Sequence, residues 1–128
     1  MRNPDQGVRP KYLDLRQIKL PITGIVSIAH RISGVILVIS IPAWLYLLEM
    51  SVTSEKGYQQ VLEKTDGFLF SLMAIVCLWA LVHHFFAGIR FLLFDLDIAV
   101  DKVSAHKMAK LVFALEIIVM LPIIGWLL

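Results

Sequence analysis

Residues 68–89 read FLFSLMAIVCLWALVHHFFAGI, a run of 22 positions that contains no Asp, Glu, Lys or Arg. A helix needs about 20 apolar residues to cross the roughly 30 Å hydrocarbon core of a membrane. In lipid such a segment must be helical, because every backbone N–H and C=O group needs a partner within the segment. The stretch therefore predicts a transmembrane helix that carries His83 and His84 into the bilayer.

Two further apolar stretches lie on either side, at about 22–48 and 111–128. Hydrophobic residues make up 59% of the 128 residues and charged residues 17%, and a soluble domain of this size has too little interior to hide so much apolar surface. We therefore expect an all-α membrane protein with three transmembrane helices, at about 22–50, 66–92 and 106–128. Residues 1–21 would form an N-terminal segment and residues 22–128 a single membrane domain.

Basic residues predict the orientation of the spans. They are dense before the first stretch and after the second, sparse between these two, and absent from the C-terminus. The positive-inside rule then places the N-terminus in the cytoplasm and the C-terminus in the periplasm. The opening MRNPDQGVRP has neither the apolar core of a signal peptide nor the character of a transit peptide. The expected location is the bacterial cytoplasmic (inner) membrane, crossed several times.

Several function classes are disfavoured by composition and motifs. The net charge of +2 gives no indication of a nucleic-acid partner, and the single cysteine, Cys77, excludes an internal disulfide. We find no Gly-rich phosphate loop, serine-hydrolase constellation or paired catalytic carboxylates. The one charge in the third stretch, Glu116, is expected to reach the inner headgroups or to pair with a partner chain.

Polar residues on two of the spans are predicted to lie at one depth. Ser27, His30 and Arg31 share a helix face at spacing i, i+3, i+4. At 1.5 Å per residue, Arg31 lies about 13 Å beyond the start of the first span, and His84 lies about 9 Å above Arg90 on a helix that returns to the same side. A snorkelling arginine or a structural histidine would explain each residue alone. Together they indicate a ligand, ion or proton site near the cytoplasmic face.

Haem is one ligand that these residues suit. A neutral imidazole binds haem iron axially, and both His83 and His84 are candidates. Neighbouring helical residues point about 100° apart, so only one can bind the iron and the second ligand must come from elsewhere. Gly88 would leave room for a flat porphyrin, and His30 and Arg31 are suitable partners for the propionates.

A quinone is the other ligand that these residues suit. The Ser27 hydroxyl and the Arg31 guanidinium are donors for the two carbonyl oxygens of a quinone. Arg31 would also stabilise the negative charge that develops when the quinone is reduced.

Two motifs carry a resemblance to a known family: RPKYLDLRQIKLPITGIVSIAHRISG at 9–34 and HHFFAGIRFLLFD at 83–95. They resemble the cytochrome b membrane anchor of succinate dehydrogenase (respiratory complex II), the larger of its two anchor subunits. The resemblance implies that the chain is bundled with a second, smaller membrane-anchor subunit, with one haem b held between the two. It further implies a flavoprotein subunit that oxidises succinate and an iron–sulfur subunit that passes the electrons to ubiquinone.

The resemblance also implies roles for individual residues. His84 would be the axial ligand of the haem iron, with the other ligand from the smaller anchor. Ser27 and Arg31 would bind the quinone, His30 and Arg31 would contact the haem propionates, and no catalytic residue would lie on this chain. Phe91 stands where some family members carry a histidine, so we assign that position no polar role.

Three alternatives stay open on the sequence alone. A fumarate reductase-type anchor would run the electrons in the other direction. A small proton or ion carrier without haem would use His30, Arg31 and His84, although no polar residue continues the path outward through the first two spans beyond Ser40. A bare structural anchor would leave His84 merely packed.

Overall fold

The computed structural model describes residues 20–127, and this part of the chain is almost wholly helical. It contains four helices: α1 (Ile22–Thr53), α2 (Glu55–Thr65), α3 (Phe68–Asp95) and α4 (Lys102–Leu127). Helices α1, α3 and α4 are each long and apolar enough to cross a membrane. The prediction of an all-α protein with three spans is confirmed. Most of the expected N-terminal segment, residues 1–19, lies outside the described residues.

Helix α4 starts at Lys102, earlier than the span expected from hydropathy. Its first turn is polar, so hydropathy does not mark it as part of the helix. The carboxylate of Asp101 accepts hydrogen bonds from the backbone N–H groups of Val103 and Ser104, both at 3.0 Å. These are donors that a helix N-terminus otherwise leaves without partners. Hydrogen bonds from the Ser104 hydroxyl and from the backbone N–H groups lower the pKa of Asp101 below its usual value. The cap lies outside the apolar stretch and so extends the helix beyond it.

Helix α2 is an element that hydropathy did not predict, and it lies in the connection between α1 and α3. Ser54 caps its N-terminus: the Ser54 hydroxyl accepts a hydrogen bond from the Gly57 N–H at 3.0 Å. The helix lies close against the end of α1. A Cβ atom at Gly57 would overlap the backbone carbonyl of Met50. This close approach requires a glycine.

Replacing Gly57 with alanine is therefore expected to destabilise the protein by about 1–3 kcal/mol, because the added methyl group has to push two backbones apart. Thermal unfolding of the purified protein in detergent measures the loss. Gly125→Ala is the matched control, since a Cβ at that position on α4 meets nothing within 4 Å. Equal unfolding midpoints for the two variants would contradict the close packing of α2 on α1.

The three long helices pack with α3 between α1 and α4, and α1 also touches α4. Their shared core is small and is built around Val26, Ala87, Ala109 and Val112. Small residues at the contact let membrane helices approach closely. Large side chains such as Val38 and Ile39 point outward instead and are 67% and 72% exposed. This apolar exterior is what lipid, or another membrane chain, would cover.

Candidate functional site

Helices α1 and α3 bring two histidines into direct contact. The rings of His30 and His84 stack with their centroids 4.1 Å apart and their planes 10° from parallel. The Nδ1 atom of His84 lies 3.1 Å from the backbone oxygen of His30. The two spans thus carry their histidines to one depth, as the helix rise predicts.

The contact with a backbone oxygen determines which nitrogen of His84 carries the proton. A carbonyl oxygen only accepts hydrogen bonds, so Nδ1 must be the protonated nitrogen that donates to it. In the neutral ring Nε2 then keeps its lone pair. Within residues 20–127, Nε2 of His84 has no hydrogen-bond partner, and His84 is only partly buried. An imidazole held at one nitrogen and open at the other has the arrangement of a typical metal-ligating histidine.

An open groove of about 580 Å³ lies beside His84 on the outer surface of α1. Its other lining residues are one arginine, one glycine and a set of aliphatic side chains: Arg31, Gly34, Val35, Leu37, Val38 and Ile39. The groove therefore combines one cation, one imidazole and an apolar wall.

The glycine beside the His84 ring is Gly34, whereas the sequence predicted room for a porphyrin at Gly88. A Cβ atom at Gly34 would lie 3.1 Å from Cε1 of His84, which is tighter than ordinary contact. Gly88 faces the other histidine, because a Cβ there would lie 3.7 Å from Nε2 of His30. The space at Gly88 is therefore occupied by a side chain of α1.

The remaining candidate residues have different environments. The His30 ring lies between His84 and Phe91, whose ring centroid is 5.1 Å away. Arg31 is exposed and lines the groove, whereas Ser27 is partly buried one turn earlier on α1 and does not line it. The structure thus brings His30, Arg31 and His84 together and leaves Ser27 at the edge of this group.

His83, the second histidine of the pair, points away from the groove into the bundle. It is fully buried. Its Nδ1 lies 2.8 Å from Oε2 of Glu116 on α4, and its Nε2 lies 3.5 Å from the backbone oxygen of Val26 on α1. The Trp79 indole N–H donates to the other oxygen of Glu116. Both ring nitrogens of His83 are engaged within this chain.

Its place in the sequence suggested that Glu116 reaches the headgroups or a partner chain. Instead, Glu116 pairs within its own chain. It is 8% exposed and joins α4 to α3 through His83 and Trp79. A carboxylate in an apolar span requires such a partner, because a lone charge in hydrocarbon is costly. The sequence signal for the pairing was the extra histidine beside His84, in a stretch, residues 68–89, that contains no Lys or Arg.

Comparisons with known proteins agree with the architecture. The family model described as succinate dehydrogenase/fumarate reductase transmembrane subunit matches residues 6–123. A succinate dehydrogenase cytochrome b556 subunit from Coxiella burnetii is 38% identical over 90 residues, covering 69% of this chain and 71% of that protein. The cytochrome b556 subunit from Paracoccus denitrificans is 30% identical over 114 residues, covering 89% and 88%. The cytochrome b560 subunit from Reclinomonas americana is 29% identical over 123 residues, covering 92% and 84%.

The family model spans nearly the whole chain, including both motifs that carried the resemblance, and the relatives match most of their own lengths. The three long apolar helices make the protein a multi-pass membrane protein. The resemblance is confirmed: the chain belongs to the family of succinate dehydrogenase and fumarate reductase transmembrane subunits, as a cytochrome b membrane anchor of complex II.

Proposed function

We propose that this chain holds haem b together with a second, smaller anchor subunit and forms part of the ubiquinone-reduction site of a succinate:quinone oxidoreductase. The observation that carries the proposal is the His84 ring, fixed at Nδ1 with Nε2 open beside a groove that also contains Arg31. The curated relatives support it, since their names describe cytochrome b subunits of succinate dehydrogenase. A bacterial inner membrane is the location we propose.

The residues of the groove fit a haem. His84 would supply one axial nitrogen to the iron, and Gly34 leaves the space in which the imidazole ring stands. The aliphatic residues of α1 would cover an apolar macrocycle, and Arg31 would pair with a propionate. When bound, haem supplies one-electron redox chemistry. The groove opens on the outside of the chain, so the partner anchor would supply the other ligand of the haem iron.

His30 would also orient the ligand in this arrangement. Its ring stacks on His84, and its backbone carbonyl oxygen accepts a hydrogen bond from Nδ1–H of His84. Stacking and hydrogen bonding together hold the plane of the ligand ring. His30 would also contact a propionate, as the family resemblance implies.

The quinone would be bound at the N-terminal side of the same helix face. Ser27 and Arg31 are one turn apart on α1, so their donors can reach one headgroup. The Ser27 hydroxyl would donate to a carbonyl oxygen of ubiquinone, and Arg31 would stabilise the negative charge formed on reduction. The electrons would arrive from the iron–sulfur subunit, and succinate would be oxidised on the flavoprotein subunit.

Replacing Ser27 or Arg31 with alanine is expected to lower succinate:ubiquinone reductase activity by about 10–100-fold, the effect of losing a hydrogen bond to a charged group. Oxidation of succinate with a soluble artificial acceptor should stay close to wild type, because that reaction bypasses the quinone. Ser40→Ala on the same helix is the matched control. A parallel fall in both activities would show that Ser27 and Arg31 act on assembly, and would contradict the quinone assignment.

A fumarate reductase-type anchor is the second candidate, since the matching family includes both enzymes. The two functions share the same fold and differ in the direction of electron flow. Assaying the purified complex for succinate-dependent ubiquinone reduction and for quinol-dependent fumarate reduction distinguishes them. We expect the first rate to exceed the second.

A further inference from the structure

Ser33 is a fully buried polar residue on α1 that the proposed function does not use. Its hydroxyl donates to the backbone oxygen of His30 at 2.8 Å. The hydroxyl oxygen of Ser33 also lies 3.3 Å from Nδ1 of His84, across the interface with α3. Ser33 therefore touches the histidine that we propose as the iron ligand, at the nitrogen opposite the one that would bind iron.

The hydrogen positions in this contact follow from the acceptors present. The hydroxyl hydrogen of Ser33 is used in the bond to the His30 carbonyl, so the lone pairs of the hydroxyl oxygen are what face His84. The Nδ1–H group of His84 then has two acceptors, the carbonyl oxygen at 3.1 Å and the hydroxyl oxygen at 3.3 Å. The three groups form a closed triangle of hydrogen bonds. Within it, the path from Nδ1–H through the Ser33 hydroxyl to the His30 carbonyl is a connected chain, and the bonds of such a chain polarise one another in a site of low dielectric.

We propose that Ser33 is a positioning residue for the haem ligand: it holds the Nδ1 proton of His84 jointly with the His30 carbonyl. This fixes the tautomer and the rotation of the ring and increases electron donation from Nε2 toward the iron. The inference rests on the proposed function, since it requires His84 to bind haem. Hydrogen-bond partners of metal-ligating histidines act in this way on ring orientation and ligand basicity.

A purely structural role for Ser33 makes a different prediction. Serines in membrane helices commonly bond to a carbonyl in the preceding turn, and small residues allow helices to pack closely. Ser40, about two turns further along α1, has that role without a histidine. Its hydroxyl donates to the Leu37 oxygen at 2.8 Å, the same i−3 bond that Ser33 makes. Ser40→Ala is therefore the matched control for Ser33→Ala.

The test compares the purified complex carrying Ser33→Ala, Ser33→Thr or Ser40→Ala with the wild type. Haem content, the redox titration of the haem and its low-spin EPR signal are the readouts. In Ser33→Ala we expect full or nearly full haem content and a ratio of reduced to oxidised haem, at a fixed potential, that rises about 3- to 10-fold. That change in the ratio corresponds to a rise of about 30–60 mV in the midpoint potential of the haem, at 59 mV per tenfold for one electron. The reduced fraction should rise because a weaker acceptor at Nδ1 makes Nε2 a weaker donor to the iron, and weaker donation stabilises the oxidised iron less.

The other variants decide whether the hydroxyl is responsible. Ser33→Thr keeps the hydroxyl and should restore the wild-type titration and EPR signal, and Ser40→Ala should leave both unchanged. Wild-type behaviour of Ser33→Ala would overturn the inference, as would equal changes in Ser33→Ala and Ser40→Ala or in Ser33→Ala and Ser33→Thr. Absence of haem from the wild-type complex would instead overturn the proposed function itself.

Discussion

Replacing Glu116 with alanine is expected to destabilise the helix bundle by about 3–5 kcal/mol, the cost of removing one partner from a buried polar pair. The change leaves Nδ1 of His83 and the indole N–H of Trp79 without the carboxylate that both contact. His83 is fully buried, so its Nδ1 would lose its partner in a place away from solvent. Thermal unfolding of the purified chain or complex in detergent, together with the yield of assembled complex, measures the effect.

Two further variants test whether the pair itself is responsible. Glu116→Gln keeps an acceptor for Trp79 and should lose much less stability than Glu116→Ala. The double variant His83→Leu with Glu116→Leu should recover part of the loss, because it removes both members of the buried pair and leaves only the Trp79 indole N–H without its acceptor. Glu49→Ala, at an exposed position on α1, is the control. A Glu116→Ala protein as stable as Glu49→Ala would contradict the pairing.

Replacing His84 with alanine is expected to remove haem from the complex almost completely, since it deletes the imidazole that lines the groove. The adjacent histidine cannot take its place. Both nitrogens of His83 are engaged with Glu116 and Val26, away from the groove. Haem per complex, determined from the absorbance of the extracted pigment against the protein concentration, measures the outcome.

His83→Ala is the matched variant for this prediction. It is expected to lower stability, by leaving Glu116 with Trp79 as its remaining partner, and to retain haem in the complex that does assemble. Retention of haem in His84→Ala together with its loss in His83→Ala would reverse the ligand assignment.

The three spans were predictable from sequence because hydropathy alone marks them, and the lipid leaves helices as the only option. Helix α2 was not predictable in the same way. It is short and polar, and isolated helices of that length are marginal in water. Its stability comes from the Ser54 cap and from the contact of Gly57 with α1, neither of which has a hydropathy signal.

That the histidines of α1 and α3 lie at one level of the bundle was predictable, because helix rise converts residue number into position along the helix axis. The meeting of His30 with His84 follows from that argument. Which face each helix turns to its neighbour does not follow from it. For that reason the sequence predicted space for a porphyrin at Gly88, which faces His30. It also left Glu116 without its partner His83 and gave Ser33 no role. These contacts depend on the rotation of α1 and α4 against α3.

We propose that this chain holds a haem in a complex that oxidises succinate. The decisive measurement is a reduced-minus-oxidised visible spectrum of the purified wild-type complex, with succinate as the reductant. We expect the absorption bands of a b-type haem to appear on addition of succinate. A complex that oxidises succinate but shows no haem bands, with succinate or with a strong chemical reductant, would contradict it.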